Sequence, residues 1–217
     1  MLPGILINLS SSDLHLLLQH IRNVVDISDQ EFETVLLSGK SLRFKKNQLL
    51  LREGDHCQSD FFVLNGSVRQ SYIDDDGKEH VVQFGFANWW ISDWHSILHN
   101  TPSTYRIEAI QPCEVIQFSY KTLLKLFVDV PILEKYFRIV FQYGFAAQQR
   151  RIAWLQQPAA ERYKEFISVY GFMEQSVPQA LLASYLGITR ESLNRIKKHT
   201  SNGFSKRVKA MRDNDSV

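Results

Sequence analysis

The spacing of apolar residues divides the chain into a helical beginning, a middle of alternating positions and a helical end. Residues 11–22 predict a first helix, and Ser28 with Glu31 predicts a capping box at the start of a second one. From Lys40 onward, short runs alternate apolar and polar residues and are separated by glycine-containing turns. Several short strands at this spacing favour an antiparallel roll or sandwich, so we expect an α+β protein.

After the last strand-like run the pattern predicts a short helix over residues 119–127 and then a long helix that opens at Pro131. Apolar or small side chains of the long helix recur at alternating spacings of four and three, which is typical of a seam along which two helices pair. The alternative is that this helix packs on its own roll. The predicted seam consists of Leu133, Phe137, Val140, Gly144 and Ala147.

Residues 177–198 predict two short helices joined by a tight turn. Pro178 suits the first helical position, and Gly187 follows the apolar stripe of the first helix, where a chain that leaves a helix often needs positive φ. Thr189 is a favourable N-cap for the second helix. The pattern indicates either a helix-turn-helix or an ordinary helical hairpin with a charged face in solvent.

The second helix carries polar residues in its first two turns, where a helix-turn-helix meets base edges in the major groove. Arginine pairs with guanine, glutamate accepts from the cytosine amino group, and asparagine pairs with adenine. Hydroxyl and lysine side chains of the same helix are suited to phosphates. The candidates for base contacts are Arg190, Glu191, Asn194 and Arg195, and the candidates for phosphate contacts are Thr189, Ser192, Lys197 and Lys198.

The net charge of +2 conceals a basic C-terminal third. From Arg150 onward there are 12 basic and 6 acidic residues, a charge of +6, whereas residues 1–149 hold 13 basic and 17 acidic residues, a charge of −4. This segregation favours a nucleic-acid-binding module attached to another domain, although chance can also produce it.

The overall composition, with 44% hydrophobic and 22% charged residues, is that of a soluble globular protein. No apolar run approaches the roughly 20 residues needed to span a bilayer, and the N-terminus lacks the features of a signal peptide. With only Cys57 and Cys113, the chain has no disulfide framework and too few thiols for an iron–sulfur cluster. We therefore expect a cytoplasmic protein without a metal, a cofactor or a membrane partner.

Two groups of motifs resemble the Crp/Fnr family of bacterial transcription regulators. The run T-R-E-S-x-x-R, directly after L-G-I, is similar to the recognition helix of that family. The motifs L-R-E-G-D, F-F-V-L-N-G-S-V, D-D-D-G-K-E and C-E-V-I-Q-F-S-Y-K look like its cyclic-nucleotide-binding β-roll, in the same order, from about residue 40 to 128. The resemblance implies an antiparallel jelly-roll of the cupin-like double-stranded β-helix type in residues 1–128, a dimerisation helix and hinge in 129–156, and a winged-helix-type helix-turn-helix domain in 157–217.

By the same resemblance, the chain is expected to be a non-enzymatic, sequence-specific transcription regulator. It should act as a homodimer on double-stranded DNA with a roughly palindromic operator, and with RNA polymerase as a further partner. The alternative is a small-molecule-binding, cupin-like protein or enzyme that does not bind DNA. The sequence does not distinguish an activator from a repressor.

The resemblance also locates an effector pocket, and there this sequence departs from the family pattern. The family motif F-x-G-E falls on Trp90-Ile91-Ser92-Asp93, and the phosphate-binding arginine falls on Ser103, while Thr104 keeps the hydroxyl. Arg106 is expected to point to the opposite face of an alternating strand from Ser103. We therefore predict a pocket of Trp90, Ser92, Asp93, Ser103 and Thr104 that does not bind cyclic AMP tightly and whose effector is unknown. Nearby aromatic residues are expected to fill it or to line an apolar cavity: Trp89, Trp90, Trp94 and Tyr105.

Overall fold

Two antiparallel sheets of four strands each are the main feature of the first half of residues 11–199, the part of the chain that the computed structural model describes. Alternating apolar residues form the strands, and positive-φ glycines form tight turns between some of them. At one such turn Gly66 has a φ of +84°, and a Cβ there would lie 2.4 Å from the backbone oxygen of Pro112. The strands are β1 Lys40–Phe44, β2 Leu49–Leu51, β3 Ser59–Asn65, β4 Ser67–Ile73, β5 Glu79–Phe86, β6 Trp90–Ile91, β7 Arg106–Ala109 and β8 Cys113–Ser119.

The strand order confirms the predicted antiparallel roll. One sheet has the order β1-β8-β3-β6 and the other has the order β2-β7-β4-β5, so strands distant in sequence lie side by side. Strand β8 returns late in the chain to pair with both β1 and β3. This crossing of the chain closes the roll and brings β6 to the edge of the first sheet, beside β3.

Helices cover one face of the first sheet. Ser28 and Glu31 form the predicted capping box at the start of the second helix, since each side chain accepts a hydrogen bond from the other residue's backbone N–H. No helix among the described residues is both long and apolar enough to cross a membrane. The helices are α1 Ser11–Arg22, α2 Asp29–Ser38, α3 Trp94–His99, α4 Tyr120–Asp129, α5 Ile132–Leu155, α6 Ala159–Tyr170, α7 Gln179–Tyr185 and α8, residues 190–199; a 3-10 turn spans Gly171–Met173.

Strand β3 is the centre of the core because both of its faces are buried. Phe61 and Val63 belong to the core that includes residues of both sheets. Phe62 and Leu64 belong to a second core that includes residues of α1, α2, α4 and α5. Asp60 is on this second face, since side chains alternate along a strand.

Helix α5 corrects the predicted dimer seam. Leu133 and Phe137 are buried in the protomer's own helical core, and Val140 packs against that core. Gly144 and Ala147 are exposed. The first part of the helix therefore packs on its own roll, because the spacing that suits a helix pair equally suits burial against a single domain. Only the second part of the proposed seam is accessible to a partner.

The C-terminal unit, Gln149–Val217, contains the predicted turn at Gly187. Gly187, with a φ of +66°, ends α7 and lets the chain turn into α8. Thr189 caps α8, because its hydroxyl accepts a hydrogen bond from the Ser192 N–H at 3.2 Å. Residues 200–217, which complete the predicted winged domain, lie outside the described residues. The core of the described part is formed by Tyr163, Phe166, Val177, Leu182, Ala183, Leu186 and Leu193.

The chain divides between Gln148 and Gln149, eight residues before the end of the predicted hinge segment, 129–156. The last two turns of α5 belong to the C-terminal unit because arginines tie them to it. Arg151 stacks over the Tyr185 ring, 3.8 Å from its centroid, and donates to the Tyr185 carbonyl oxygen at 3.2 Å. Arg162 of α6 donates to the Leu155 carbonyl oxygen, at the end of α5, at 2.6 Å.

Candidate nucleic-acid interface and sensor site

Helix α8 presents the predicted base-contacting face to solvent. Its inward side chain is Leu193, which is completely buried, while Ile196 is partly buried. An apolar anchor of this kind fixes the rotation of a helix about its axis, and so fixes which side chains face outward. The exposed residues at the start of the helix and on its outer face are Thr189, Arg190, Glu191, Asn194, Arg195 and Lys198.

The two predicted hydroxyl contacts, Thr189 and Ser192, bond to each other at the helix start. The Thr189 hydroxyl donates to the Ser192 hydroxyl at 3.1 Å in addition to capping the Ser192 N–H. Thr189 is exposed and Ser192 is half-buried. Their main effect in the free protein is to fix the first turn of α8, from which Arg190 and Glu191 project.

Lys197, a predicted phosphate contact, has partners inside the C-terminal unit. Its Nζ lies 2.5 Å from Glu174 Oε1 and 3.0 Å from Gln179 Oε1. Tyr163 donates its hydroxyl to the same Glu174 oxygen at 2.7 Å. Burial opposes ionisation of Glu174, but these two partners outweigh it and lower its pKa. The lysine therefore ties α8 to α7 and to the segment before it.

At the predicted effector pocket, Asp93 and Ser103, which the sequence resemblance places at a glutamate and an arginine position, bond to each other. Ser103 donates its hydroxyl to Asp93 Oδ2 at 2.6 Å, and both residues are almost completely buried. The other Asp93 oxygen caps α3 by accepting the Ser96 N–H at 3.2 Å. The Ser103 oxygen also accepts the Tyr105 N–H at 3.0 Å. The pair is thus satisfied internally, and Thr104, beside it, is exposed.

Trp90 does not line a pocket with Asp93 and Ser103, which corrects its predicted place. Its ring packs 5.1 Å from the rings of Phe62 and Phe137, in the core beneath the helices. Strand β6 pairs with β3 here, and side chains alternate across the strand, so Trp90 and Ile91 face opposite sides. A two-residue strand is too short for the sequence pattern to show which side each residue takes.

Other aromatic residues near the predicted pocket contact protein rings. Trp94 packs edge-on against Phe141 at 4.8 Å and Tyr120 at 6.0 Å between ring centroids. Tyr105 packs edge-on against Tyr72 at 6.2 Å. Each of these rings therefore packs against another aromatic ring of the protein.

Arg106, the arginine nearest to the missing phosphate contact, is held by acidic residues. Its guanidinium lies 3.2 Å from Glu79, which also pairs with Arg69 at 2.9 Å. Arg69 in turn pairs with Glu108 at 3.1 Å. Arg106 is therefore part of a four-residue ion-pair network on the second sheet and has no hydrogen bond to Ser103.

A buried carboxyl group, Asp60, was missed by sequence reasoning. It is 1% exposed, and one oxygen accepts the Phe61 N–H at 3.0 Å. The other oxygen makes no hydrogen bond of normal geometry among the described residues, and the same holds for the buried hydroxyl of Ser92. Burial raises the pKa of Asp60 to about 7. Interactions of the carboxyl with the Ser92 side chain, the Phe61 N–H and the Trp94 side chain lower the pKa, but their effect is smaller. The only indication in the sequence is an acidic residue directly before the apolar run F-F-V-L.

Metal chemistry has no support from side-chain grouping in the described part of the chain. No three histidine, cysteine, aspartate or glutamate side chains come together there to hold a metal ion. His95 and His99 have ring centroids 4.6 Å apart on α3. Cys57 and Cys113 are both buried free thiols.

Comparison with known proteins supports the arrangement of the first unit. Residues 41–129 match the family model described as the Cyclic nucleotide-binding domain. No curated protein sequence is significantly similar to the chain.

Among solved structures, FixK2 from Bradyrhizobium japonicum matches with a TM-score of 0.65 and 15% identity, over 76% of this chain and 85% of FixK2. A CooA variant from Carboxydothermus hydrogenoformans matches with a TM-score of 0.67 and 17% identity, over 90% of this chain and 87% of CooA. The c-di-GMP-responsive global regulator CLP from Xanthomonas campestris matches with a TM-score of 0.62 and 19% identity, over 81% of this chain and 93% of CLP. These likenesses show a shared fold.

Proposed function

Since residues 41–129 match the Cyclic nucleotide-binding domain and the chain shares the fold of Crp/Fnr-family regulators, we propose that it is a sequence-specific DNA-binding transcription regulator that acts as a homodimer. The observation that carries the proposal is the exposed polar face of α8. Buried Leu193 holds this helix, and Arg190, Glu191 and Arg195 project from its first two turns. Arginine and glutamate at these positions suit guanine and cytosine edges in the major groove.

The same proposal supplies the partners. A two-fold dimer presents two copies of α8 to one face of a duplex about one helical turn apart, so the operator is roughly palindromic. As a transcription regulator, the protein meets RNA polymerase at promoters and works in the cytoplasm, where the bacterial chromosome lies. In this proposal Thr189, Ser192 and Lys198 contact phosphates. Lys197 contributes indirectly, because its ion pair with Glu174 holds α8 in place.

Footprinting on the DNA around its own gene tests this function. We expect protection of two half-sites by the wild-type protein and loss of that protection in Arg190→Ala. The matched control is Arg138→Ala, an exposed arginine on α5 in the other unit. Equal protection by the Arg190 variant, or no protected DNA of any sequence, would contradict the proposal.

For the dimer we propose a seam shifted from the one predicted. Exposed apolar side chains of Phe141 and Phe145 lie one turn apart on α5, at 41% and 67% exposure. Gly144 lies on the same side of the helix, and a Cβ there meets no atom within 4 Å in the protomer. A glycine costs helix stability, so its place beside two exposed rings supports close approach of a second helix.

For the sensor we propose that cyclic AMP is not the effector. A cyclic phosphate needs a positive partner in a partly dry pocket. Here Ser103 replaces the family's arginine and is bonded to Asp93, while Arg106 is held by Glu79. Loss of a charge-assisted contact costs about 1.5–3 kcal/mol, or roughly tenfold to a hundredfold in affinity. Calorimetry that finds low-micromolar affinity for cyclic AMP would contradict this part.

A further inference from the structure

Asp60 is an acidic side chain in a position that does not suit its charged form. It is 1% exposed on the face of β3 that carries Phe62 and Leu64, beneath the helices. An ionised carboxylate in such a place is costly unless it is paired or well hydrogen-bonded. Asp60 has one bond, to the N–H of the next residue, and its other oxygen has no partner of normal geometry among the described residues.

The groups around Asp60 come from several elements and include no cationic partner among those described. From the end of β6, Ser92 brings a buried hydroxyl that favours the charged form of Asp60 but makes no hydrogen bond of normal geometry among the described residues. From α3, the Trp94 side chain interacts with the Asp60 carboxyl and favours its charged form, and the Trp94 ring contacts Phe141 of α5. From α5, the Tyr136 hydroxyl is close enough for the Asp60 charge to help raise its pKa, after the larger effect of burial.

The other titratable groups packed near this site are a histidine, a cysteine, an aspartate and a tyrosine. His20 of α1 lies with Nδ1 2.7 Å from the Tyr136 hydroxyl, and burial lowers its pKa. Cys57, before β3, has a pKa raised by burial. Asp93 is bonded to Ser103, and Tyr120 of α4 packs edge-on against the Trp94 ring. Nothing described at this place can neutralise the charge of an ionised Asp60.

Helix α5 is the element whose contacts change most when Asp60 ionises. The Tyr136 hydroxyl accepts the Trp90 indole N–H at 2.8 Å and can donate to His20, so it fastens α5 to β6 and α1. Trp94 holds the next turn through Phe141. An ionised Asp60 needs stronger hydrogen bonds or water, and the donors available to it are the side chains of Ser92 and Trp94, which already favour its charged form, and the Tyr136 hydroxyl. Recruiting any of these changes the contacts that fasten α5.

We propose that Asp60 is a proton-operated switch of the sensor. Loss of its proton loosens the packing of Tyr136–Phe141 of α5 on the roll, and, resting on the proposed function, this alters the affinity for the operator. A buried carboxyl group whose protonation state changes near neutral pH suits a switch that works under physiological conditions.

The first test uses the isolated full-length protein without DNA. Emission and acrylamide quenching of the four tryptophans, which include Trp90 and Trp94, are followed from about pH 5.5 to 8.5, beside 13C NMR of aspartate carboxyl groups. Wild type is expected to show one transition near neutral pH, and the resonance that titrates with it should be absent from Asp60→Asn and Asp60→Leu. The matched control is Asp55→Asn, which removes an exposed aspartate five residues away.

Two outcomes of this test overturn the switch. One is an Asp60 carboxyl resonance that does not titrate in this range. The other is a tryptophan transition that persists in both Asp60 variants, which places it on another group. His20→Gln separates the histidine, since a transition that vanishes with it and not with Asp60→Asn belongs to the imidazole.

The second test measures operator affinity at about pH 6 and pH 8 at fixed ionic strength. Wild type is expected to change by about fivefold or more, within the usual range of allosteric coupling, while Asp60→Asn keeps at both pH values the affinity that wild type has at the lower pH. DNA binding without pH dependence in wild type overturns the switch and leaves the proposed function standing. Absence of DNA binding at every pH overturns the proposed function, and the tryptophan and NMR results then decide alone whether Asp60 controls α5.

Discussion

At the scale of single residues, the most informative side chains are those that the fold has already paired. Asp93 and Ser103 satisfy each other, and Arg106 is held by Glu79, so the position that binds a cyclic phosphate in the related family has no free cation among these residues. By contrast, Arg190, Glu191 and Arg195 point into solvent. The described structure therefore leaves the polar face of α8 accessible, as the proposed DNA binding requires, and pairs the side chains of the predicted effector pocket with each other.

Asp60 gives a prediction about stability. The pKa of its carboxyl is 3.8 in the unfolded reference and about 7 in the folded protein, so between these values the folded state holds more protons. Stability therefore falls as pH rises from about 4 to about 7 and then levels off. Between about pH 5 and 8 this amounts to at most about 3 kcal/mol, at about 1.4 kcal/mol per pKa unit. Urea unfolding of wild type should show this fall, with Asp55→Asn following it.

The variant Asp60→Asn should not show that component, because an amide does not titrate. The difference in free energy of unfolding between variant and wild type should then grow in favour of the variant as pH rises. Parallel pH profiles of the two proteins would mean that Asp60 keeps an ordinary pKa.

Lys197 and Lys198 give a prediction from neighbouring lysines with different surroundings. Lys197→Met breaks the tie to Glu174 and Gln179, and this partly exposed pair should cost about 1 kcal/mol of stability. Lys198 is exposed, so Lys198→Met should cost less stability than Lys197→Met and reduce the slope of log affinity against log salt by about one. Thermal unfolding and salt-dependent DNA binding of both variants measure this. The opposite assignment of the two effects would return Lys197 to its predicted role as a phosphate contact.

At the scale of elements, the sequence allowed prediction of most helices and strands, because each depends on local pattern. The capping box at Ser28, the turn at Gly187 and the cap at Thr189 all follow from residue type and spacing. The predictions that failed concern residues whose surroundings are set by tertiary packing. Trp90 lies in a two-residue strand whose orientation is set by its neighbour β3. Asp60 became significant only because helices cover it.

Helix α5 shows the same limit along its own length. The spacing of Leu133, Phe137 and Val140 was interpreted as a seam between two helices, whereas the protomer's own core buries Leu133 and Phe137, because periodicity does not tell whether a domain or a second helix buries a stripe. The boundary before Gln149 likewise depends on contacts of Arg151 and Arg162 across long stretches of sequence.

The exposed half of α5 gives a prediction about assembly. Phe145→Glu should convert a dimer into a monomer, because it places charge on the proposed seam. Tyr143→Glu is the matched control, since Tyr143 is 75% exposed but projects from a different side of the helix. Analytical ultracentrifugation checks both. A dimer that survives Phe145→Glu but not Tyr143→Glu would place the interface on the other side.

At the scale of the whole molecule, the positive charge is concentrated in the part of the chain that contains α8. The residues from Arg150 onward carry +6, and they include the unit that holds α8. Such a charge attracts any duplex, whereas selection of one sequence depends on the few side chains that meet base edges. Both properties are needed in a regulator, and they respond differently to salt and to DNA geometry.

This difference gives the last prediction, which combines the α5 seam with the α8 face. On an operator with two half-sites, affinity of the wild type should fall steeply with salt, and insertion of half a helical turn, about 5 base pairs, between the half-sites should abolish the tight complex. The inserted half turn places the second site on the opposite side of the duplex, where a two-fold dimer cannot present its second α8. Phe145→Glu should bind the original and altered operators equally and weakly, because a monomer uses one half-site. Gel-shift titrations of both proteins on both DNAs measure this, and tolerance of the insertion by the wild type would contradict a rigid two-fold arrangement.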